Sequence, residues 1–454
     1  MKNFKLKIKK IIDIILLKDK NELIKKLFKK GFFHVLTGNA LAELLAFVTS
    51  ILVIRLTNSK SEYAYLSYAN NVYSYIILLS GLGLSSALLK YSSSQNNPEY
   101  DKAYLKFTLK IGLVIQTILS IAVIVIIYNI KIPFMEAKKI IYLMVLVPFI
   151  TYIYQVFQNY VRSKENNKLF AKTGIIFSIA TLFFSIGSIF LYGIYGVPFA
   201  KYLAFIIAII LPLKFIKKSF KNVKNIKLSQ KQKQSFIKMG LSILIGTFFF
   251  SIMSSNELFL VNNLLSDEVI TSNYKVSILI PSQVRVIISS VMIFFFPILA
   301  KLKDNQKIYK LAKRINLTTF LIISLIAGIG IVLSPFIIRL FFGSQYDDTL
   351  KLTVIFWIVY LFNSVINVPF NILLALGRSS FVMLSSIIIS LIHLLLTYMF
   401  IKLFGINGVA FSTLLSYVIG GIIYWKYLKM ICTKKEPANM IPVQNKEEII
   451  NVIP

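Results

Sequence analysis

The chain reads as an all-α polytopic membrane protein of about twelve transmembrane helices in two six-helix lobes. Three observations carry that reading. Of its 454 residues 57% are hydrophobic, against roughly 45–50% in a soluble domain, and runs long enough to cross a bilayer recur along nearly the whole chain. Residues 191–215, LYGIYGVPFAKYLAFIIAIILPLKF, return as residues 403–427, LFGINGVAFSTLLSYVIGGIIYWKY. At a constant offset of 212, ten of those 25 positions are identical, among them Gly193/Gly405, Gly196/Gly408 and Lys214/Lys426. A repeat of half the chain length inside apolar sequence points to two homologous bundles. The third observation is charge, which alternates from loop to loop.

The spans fall at 31–55, 66–88, 107–128, 140–161, 173–192 and 197–214 in the first half, and at 240–262, 273–298, 315–338, 351–374, 380–401 and 406–426 in the second. With these spans, 39 of the 51 lysines and arginines lie on one side and 10 on the other, while Lys110 and Arg285 sit inside spans. The positive-inside rule then puts both termini in the cytoplasm of a cell (inner) membrane protein. The same rule explains the net charge of +33 without a nucleic-acid partner. Six spans per half make the two repeats run in the same direction, related by a pseudo-twofold axis along the membrane normal with a cavity between them.

Taken in order, residues 1–30 form a basic cytoplasmic segment, too lysine-rich for a cleavable leader. Phe4, Ile8, Ile11 and Ile15 share one helical face there, suited to lying on the inner membrane surface. Residues 31–213 are the first lobe. Residues 214–239 are a cytoplasmic linker with nine lysines and no acid, expected to stay extended along the surface. Residues 240–428 are the second lobe, and 429–454 a cytoplasmic tail. Gly81 and Gly83 should allow close helix contact or bending. Pro148, Pro212, Pro281, Pro297 and Pro369 should kink helices around the cavity. The tyrosines at 63, 65, 68, 73 and 75, at the outer entrance of span two, read best as interface anchors.

Enzyme chemistry finds little support. No phosphate-binding loop, D-x-D pair or metal-ligand spacing of the two histidines is present, and the single Cys432 cannot form an intrachain disulfide. No exterior loop exceeds about a dozen residues, which counts against a membrane polysaccharide polymerase, since such an enzyme builds its site from sizeable exterior loops. No metal or organic cofactor is expected.

Four segments together resemble the polysaccharide and oligosaccharide-lipid flippases of the multidrug/oligosaccharidyl-lipid/polysaccharide exporter superfamily. They are GLGLSSALLKY (81–91), FFFPILAKL (294–302), LFFGSQY (340–346), and LLALGRSSF (373–381) followed by LFGINGVAFSTLLSYVIGG (403–421). The resemblance covers nearly all of 31–428. It implies alternating access between the lobes and passage of an undecaprenyl-diphosphate-linked oligosaccharide through a central cavity, as in O-unit or capsule-repeat flippases. Membrane lipids, and a polysaccharide polymerase and glycosyltransferases, would be the partners. The alternative on the same fold is a cation-coupled exporter of drugs or other amphiphiles.

A charged side chain at bilayer depth costs roughly 2.5–3.5 kcal/mol and therefore faces a cavity or a partner. Arg285, at mid-span, is the first candidate to hold a diphosphate, because guanidinium offers a fixed fork of donors. Its rival role is an ion pair with Glu43 or Glu257. Lys275 and Lys201 are further substrate candidates, although at the outer span ends snorkelling also explains them. His34, Asn39 and His393 complete the substrate set. Glu43, Glu257 and the adjacent Asn256 are candidates to bind H⁺ or Na⁺ and couple it to export.

Overall fold

The computed structural model describes residues 32–94, 97–302 and 304–433. The described residues form sixteen α-helices with short 3₁₀ turns between some of them: α1 (Phe32–Leu56), α2 (Lys60–Leu78), α3 (Leu84–Ser94), α4 (Pro98–Asn129), α5 (Met135–Leu143), α6 (Val147–Ser163), α7 (Asn167–Tyr192), α8 (Val197–Ser219), α9 (Gln230–Leu264), α10 (Glu268–Leu279), α11 (Val284–Lys301), α12 (Asn305–Phe342), α13 (Leu350–Leu361), α14 (Asn363–Ala375), α15 (Ser379–Phe404) and α16 (Asn407–Thr433). Nine stretches, or ten with the bent pair α5–α6, are long and apolar enough to cross a membrane. One of them, Asn167–Ser219, is α7 and α8 packed side by side, and so makes two passes. Helix α9, 35 residues long, supplies the remaining pass of a twelve-pass bundle.

Four passes are broken where continuous spans were expected. The second divides into α2 and α3 because Gly81, Leu82 and Gly83 all take left-handed φ (58°, 47° and 74°), which no helix continues through. The eighth divides at Pro281, whose missing N–H and fixed φ interrupt the ladder between α10 and α11. The fourth bends by 46° between α5 and α6, and the tenth breaks at Phe362 between α13 and α14. Passes two and eight, and four and ten, are counterparts under the pseudo-twofold axis.

The two lobes repeat each other in detail. Helix α1 packs chiefly on α7, and its counterpart α9 on α15; α7 pairs with α8 as α15 pairs with α16. Gly193 and Gly405 cap α7 and α15 with φ/ψ of 58°/−149° and 58°/−140°. A Cβ at Gly196 would meet the Ser188 carbonyl oxygen at 2.2 Å, and one at Gly408 the Phe400 carbonyl oxygen at 2.1 Å. The matched glycines found in the sequence therefore serve one backbone purpose in both lobes.

The connection between the lobes is shorter than the sequence reading. Helix α8 carries on to Ser219 and a capping box at Ser229 and Gln232 starts α9, so only 220–229 are non-helical. That segment is tied to the first lobe: Lys102 Nζ donates to the Val223 carbonyl at 2.5 Å, and Lys106 Nζ to Asn225 Oδ1 at 2.7 Å. The first turns of α9 belong there too. Phe236 is fully buried against Tyr91, Tyr104 and Phe107, and the Gly240 carbonyl lies where a Cβ on Gly83 would sit, 2.2 Å away. The tail shortens likewise, because α16 continues to Thr433. The amphipathic reading of 1–30 lies outside the described residues.

Candidate functional site

Between the lobes lies a cavity of about 510 Å³. The first lobe contributes Thr49 and Ser50 of α1, Tyr63, Ser67 and Asn70 of α2, and Lys201 of α8. The second contributes Glu257 of α9, Lys275 of α10, Ser282, Arg285 at the start of α11 and Tyr360 of α13. The breaks in passes two and eight matter here: Pro281 stops α10 four residues before Arg285, so α11 restarts with the guanidinium at the cavity wall.

Three cations separated by up to 84 positions in sequence thus converge with one carboxylate. Arg285 is exposed to the cavity. Its Nη2 donates to the Tyr360 hydroxyl at 3.2 Å, and its Cζ lies 5.1 Å from the centre of that ring. No carboxylate comes within 4.0 Å of it among the described residues, so it is not the ion-pair strut with Glu43 or Glu257 that the sequence left open. Lys201 donates to Asn70 across the first lobe. Both Lys201 and Lys275 turn into the cavity, so snorkelling does not describe them.

Glu257 is 5% exposed and held on three sides. Tyr274 donates to its Oε2 at 2.7 Å and Thr413 to its Oε1 at 2.9 Å. His393 Nε2 stands 3.5 Å from the same Oε1, without a hydrogen bond of good geometry. His393 Nδ1 faces Ser416 Oγ at 3.0 Å, and the ring is fully buried within the second lobe. His393 therefore belongs to the Glu257 network rather than to the cavity wall. Asn256 faces the other way and accepts from Tyr75 of the first lobe at 3.0 Å.

Glu43 and Asn39 are exposed on α1, one and two turns beyond the cavity-lining Ala46, and Glu43 forms no ion pair among the described residues. The side chain of His34 lies outside the described residues. Sequence reasoning missed Tyr360, Asn70, Tyr274 and Thr413, and read Tyr63 as an interface anchor. Tyr360 sits in the uniformly apolar run IFWIVYL, which carries no sign of its direction, and only the polar pair Thr413 and Ser416, three apart, marked a polar helix face.

The cavity closes at the end away from the lysine-rich loops. Tyr65 of α2 donates to Glu268 of α10 at 2.6 Å, Lys60 Nζ lies 3.7 Å from Asp348 and over the Tyr346 ring, and Ile51, Ile54, Val276, Ile338, Phe342 and Tyr346 cluster beneath. The tyrosines of span two face inward instead of anchoring at a membrane interface: Tyr68 and Tyr73 are buried in the core of the first lobe, Tyr63 lines the cavity, and Tyr65 and Tyr75 bond the second lobe.

The family model described as "Polysaccharide biosynthesis protein" matches residues 28–303, more than half of the chain. The chain belongs to this polysaccharide biosynthesis family. It is a polytopic membrane protein. Over 137 residues it is 26% identical to the "Putative O-antigen transporter" of Shigella flexneri, a match that spans 30% of this chain and only 33% of that relative. Among solved structures it is similar to one titled "Inward-facing conformation of a multidrug resistance MATE family transporter of the MOP superfamily", at TM-score 0.69 and 12% identity over 86% of this chain and 94% of the other. It is also similar to a MOP superfamily transporter from Pyrococcus furiosus whose title speaks of reverse polarity of its binding pocket, at TM-score 0.66 and 13% identity over 90% and 96% of the two chains. At such identity these neighbours show the fold, a two-lobe bundle shared across most of both chains.

Proposed function

We propose that this member of the polysaccharide biosynthesis family is a flippase, carrying an undecaprenyl-diphosphate-linked oligosaccharide from the inner to the outer leaflet of the cell membrane. The observation that carries the reading is the convergence of Lys201, Lys275 and Arg285, drawn from both lobes, on one cavity. A diphosphate presents several anionic oxygens, and a planar guanidinium with two flanking ammonium groups matches them in number and sign. The neutral hydroxyls and rings of Tyr63, Tyr360, Ser50 and Ser67 offer hydrogen bonds and stacking faces to sugars. With the basic loops in the cytoplasm, the closed end faces outward and the cavity is poised to load from inside. Alternating access follows if the Tyr65–Glu268 and Lys60–Asp348 contacts break as the lysine-rich ends approach.

A transporter of cationic drugs on the same fold fits less well, since three cations and one carboxylate repel a cationic ligand. The test is deletion of the gene. Surface polysaccharide should be lost and its lipid-linked repeat unit should accumulate in the inner leaflet. Normal surface polysaccharide with lost resistance to cationic drugs would overturn the flippase in favour of the exporter.

A further inference from the structure

Building on the flippase reading above, we propose that passes four and ten each carry a strip of uncharged amides that binds the sugar rings of the cargo, apart from the cationic cluster that meets its diphosphate. Helices α6 and α14 are the cytoplasmic halves of these two broken passes, and counterparts under the pseudo-twofold axis. At the offset of 212, Thr151, Gln155 and Asn159 of α6 fall on Asn363, Asn367 and Asn371 of α14. Each trio has the i, i+4, i+8 spacing that stacks side chains on one face of a helix. Only the Asn159/Asn371 pair is identical, yet all six side chains are neutral and hydrogen-bonding. The same neighbours flank both strips: α3 and α7 beside α6, and their counterparts α11 and α15 beside α14.

The strips keep hydrogen-bonding capacity that the protein does not use. Gln155, Asn159, Asn367 and Asn371 are half-buried, whereas Val156, Phe157 and Tyr160 around the first strip and Val368, Pro369 and Ile372 around the second are buried. Gln155 and Asn159 make no hydrogen bond with any described residue. Thr151 is 6% exposed, and its Oγ1 has no partner either. Asn367 Nδ2 donates to Asn363 and Asn371 Nδ2 to the Asn367 carbonyl, so the side-chain oxygens of Asn367 and Asn371 accept from no described residue. Off the strip, by contrast, Gln158 is bonded to Tyr154 and Thr173. The four half-buried amides lie one and two turns before the last residues of α6 and α14, Ser163 and Ala375. Unpaired amides at that depth cannot face hydrocarbon, where a polar group without a partner is costly. They face the water-filled approach to the central cavity, whose wall includes Tyr360, just before α14.

The donor set fits a neutral polyol. A carboxamide donates through its nitrogen and accepts through its oxygen, and so pairs with neighbouring sugar hydroxyls, each of which does both. Residues i and i+4 stand about 6 Å apart along a helix, which lets one strip contact several hydroxyls of a chain of rings. An apolar drug covering the same amides would leave them unpaired, at a cost to its own affinity.

The probe is the phosphate-free oligosaccharide released by mild acid from the cell's own lipid-linked repeat unit, with inorganic pyrophosphate as the second ligand. Each is titrated onto the full-length protein in lipid nanodiscs. Gln155→Ala with Asn159→Ala, or Asn367→Ala with Asn371→Ala, should weaken oligosaccharide binding about ten-fold and leave pyrophosphate binding unchanged. Arg285→Ala should do the reverse. Asn159→Gln and Asn371→Gln, which keep the amide, should bind the oligosaccharide nearly as wild type does. Three results would each overturn the sugar site: no oligosaccharide binding by the wild type, undiminished binding when all four amides are alanine, or equal loss of both ligands, which would make the strips packing. None of these touches the flippase reading, which the gene deletion tests without the strips. Surface polysaccharide that survives the deletion while the oligosaccharide still binds would instead sink the flippase and leave the sugar site.

Discussion

Arg285 rests on the neutral Tyr360 and faces the cavity, so its removal leaves no carboxylate within 4.0 Å without its counter-charge. Loss of the cation–π contact costs about 0.5–2 kcal/mol, which a folded membrane protein tolerates. Arg285→Ala should therefore accumulate normally in the membrane and lose surface polysaccharide export. Arg285→Lys should restore export only in part, because it keeps the charge and loses the planar fork. The measurement is protein abundance beside surface polysaccharide; normal export by a stable alanine protein would remove Arg285 from the site. The sequence pointed to this residue for a sound reason, since a charge at that depth needs a cavity or a partner. It could not choose between the two, because the choice turns on the direction of Tyr360, Tyr274 and Thr413, side chains with no periodic signature.

At the scale of helices, the lobes differ where one carries a buried charge pair. The fourth residue of α4 is Asp101, 2% exposed, bound to Lys164, whose Nζ also donates to the Ser92 carbonyl at 3.0 Å. The fourth residue of α12 is Ile308, and the counterpart of Lys164 at offset 212 is Leu376; both are fully buried in the second core. One lobe thus closes the same corner with charge and the other with hydrocarbon. Removing one partner, as in Lys164→Met or Asp101→Leu, should cost about 2–4 kcal/mol, less than for a fully buried pair because Lys164 is 26% exposed. Asp101→Ile with Lys164→Leu should recover most of that loss, since the other oxygen of Asp101 is already without a partner. Thermal unfolding in detergent decides it, and a double variant as unstable as the worse single one would show that the corner needs its charge.

The helix breaks were only partly legible. Pro281 and the two glycines marked passes two and eight, whereas the bends at 144–146 and at Phe362 have no local signal beyond Pro148 nearby. The repeat runs further in backbone than in sequence. Glu165 and Gly377 both take left-handed φ, 53° and 75°, and the N–H groups of Asn166 and Arg378 reach the carbonyls of Val161 and Leu373. None of residues 161–167 is identical to its partner in 373–379, so identity could not have revealed this second matched turn.

For the molecule as a whole, hydrophobic runs, one repeat and the lysine distribution were enough to read two six-pass lobes. The linker was misjudged because lysines on the last turns of α8 and the first of α9 look the same in sequence as lysines in a loop. Topology is the remaining test of scale: a cysteine at Asn225 should be labelled only from the cytoplasmic side, together with both termini, and labelling from outside would invert the whole assignment.

The seating of Phe236 has a mechanical meaning. A helix fixed at its base in one lobe while its upper part builds the other is a lever, and the tight Gly83–Gly240 approach leaves its fulcrum no slack. From Phe236 to Asn256 the arm is 20 residues, roughly 30 Å at 1.5 Å per residue. A swing of about 10° at the base would carry the tip about 5 Å along that arm's arc, further than any hydrogen bond stretches. The Tyr75–Asn256 bond cannot survive such a stroke, and the Glu257 carboxylate, one residue on, would travel with it away from the first lobe's Lys201.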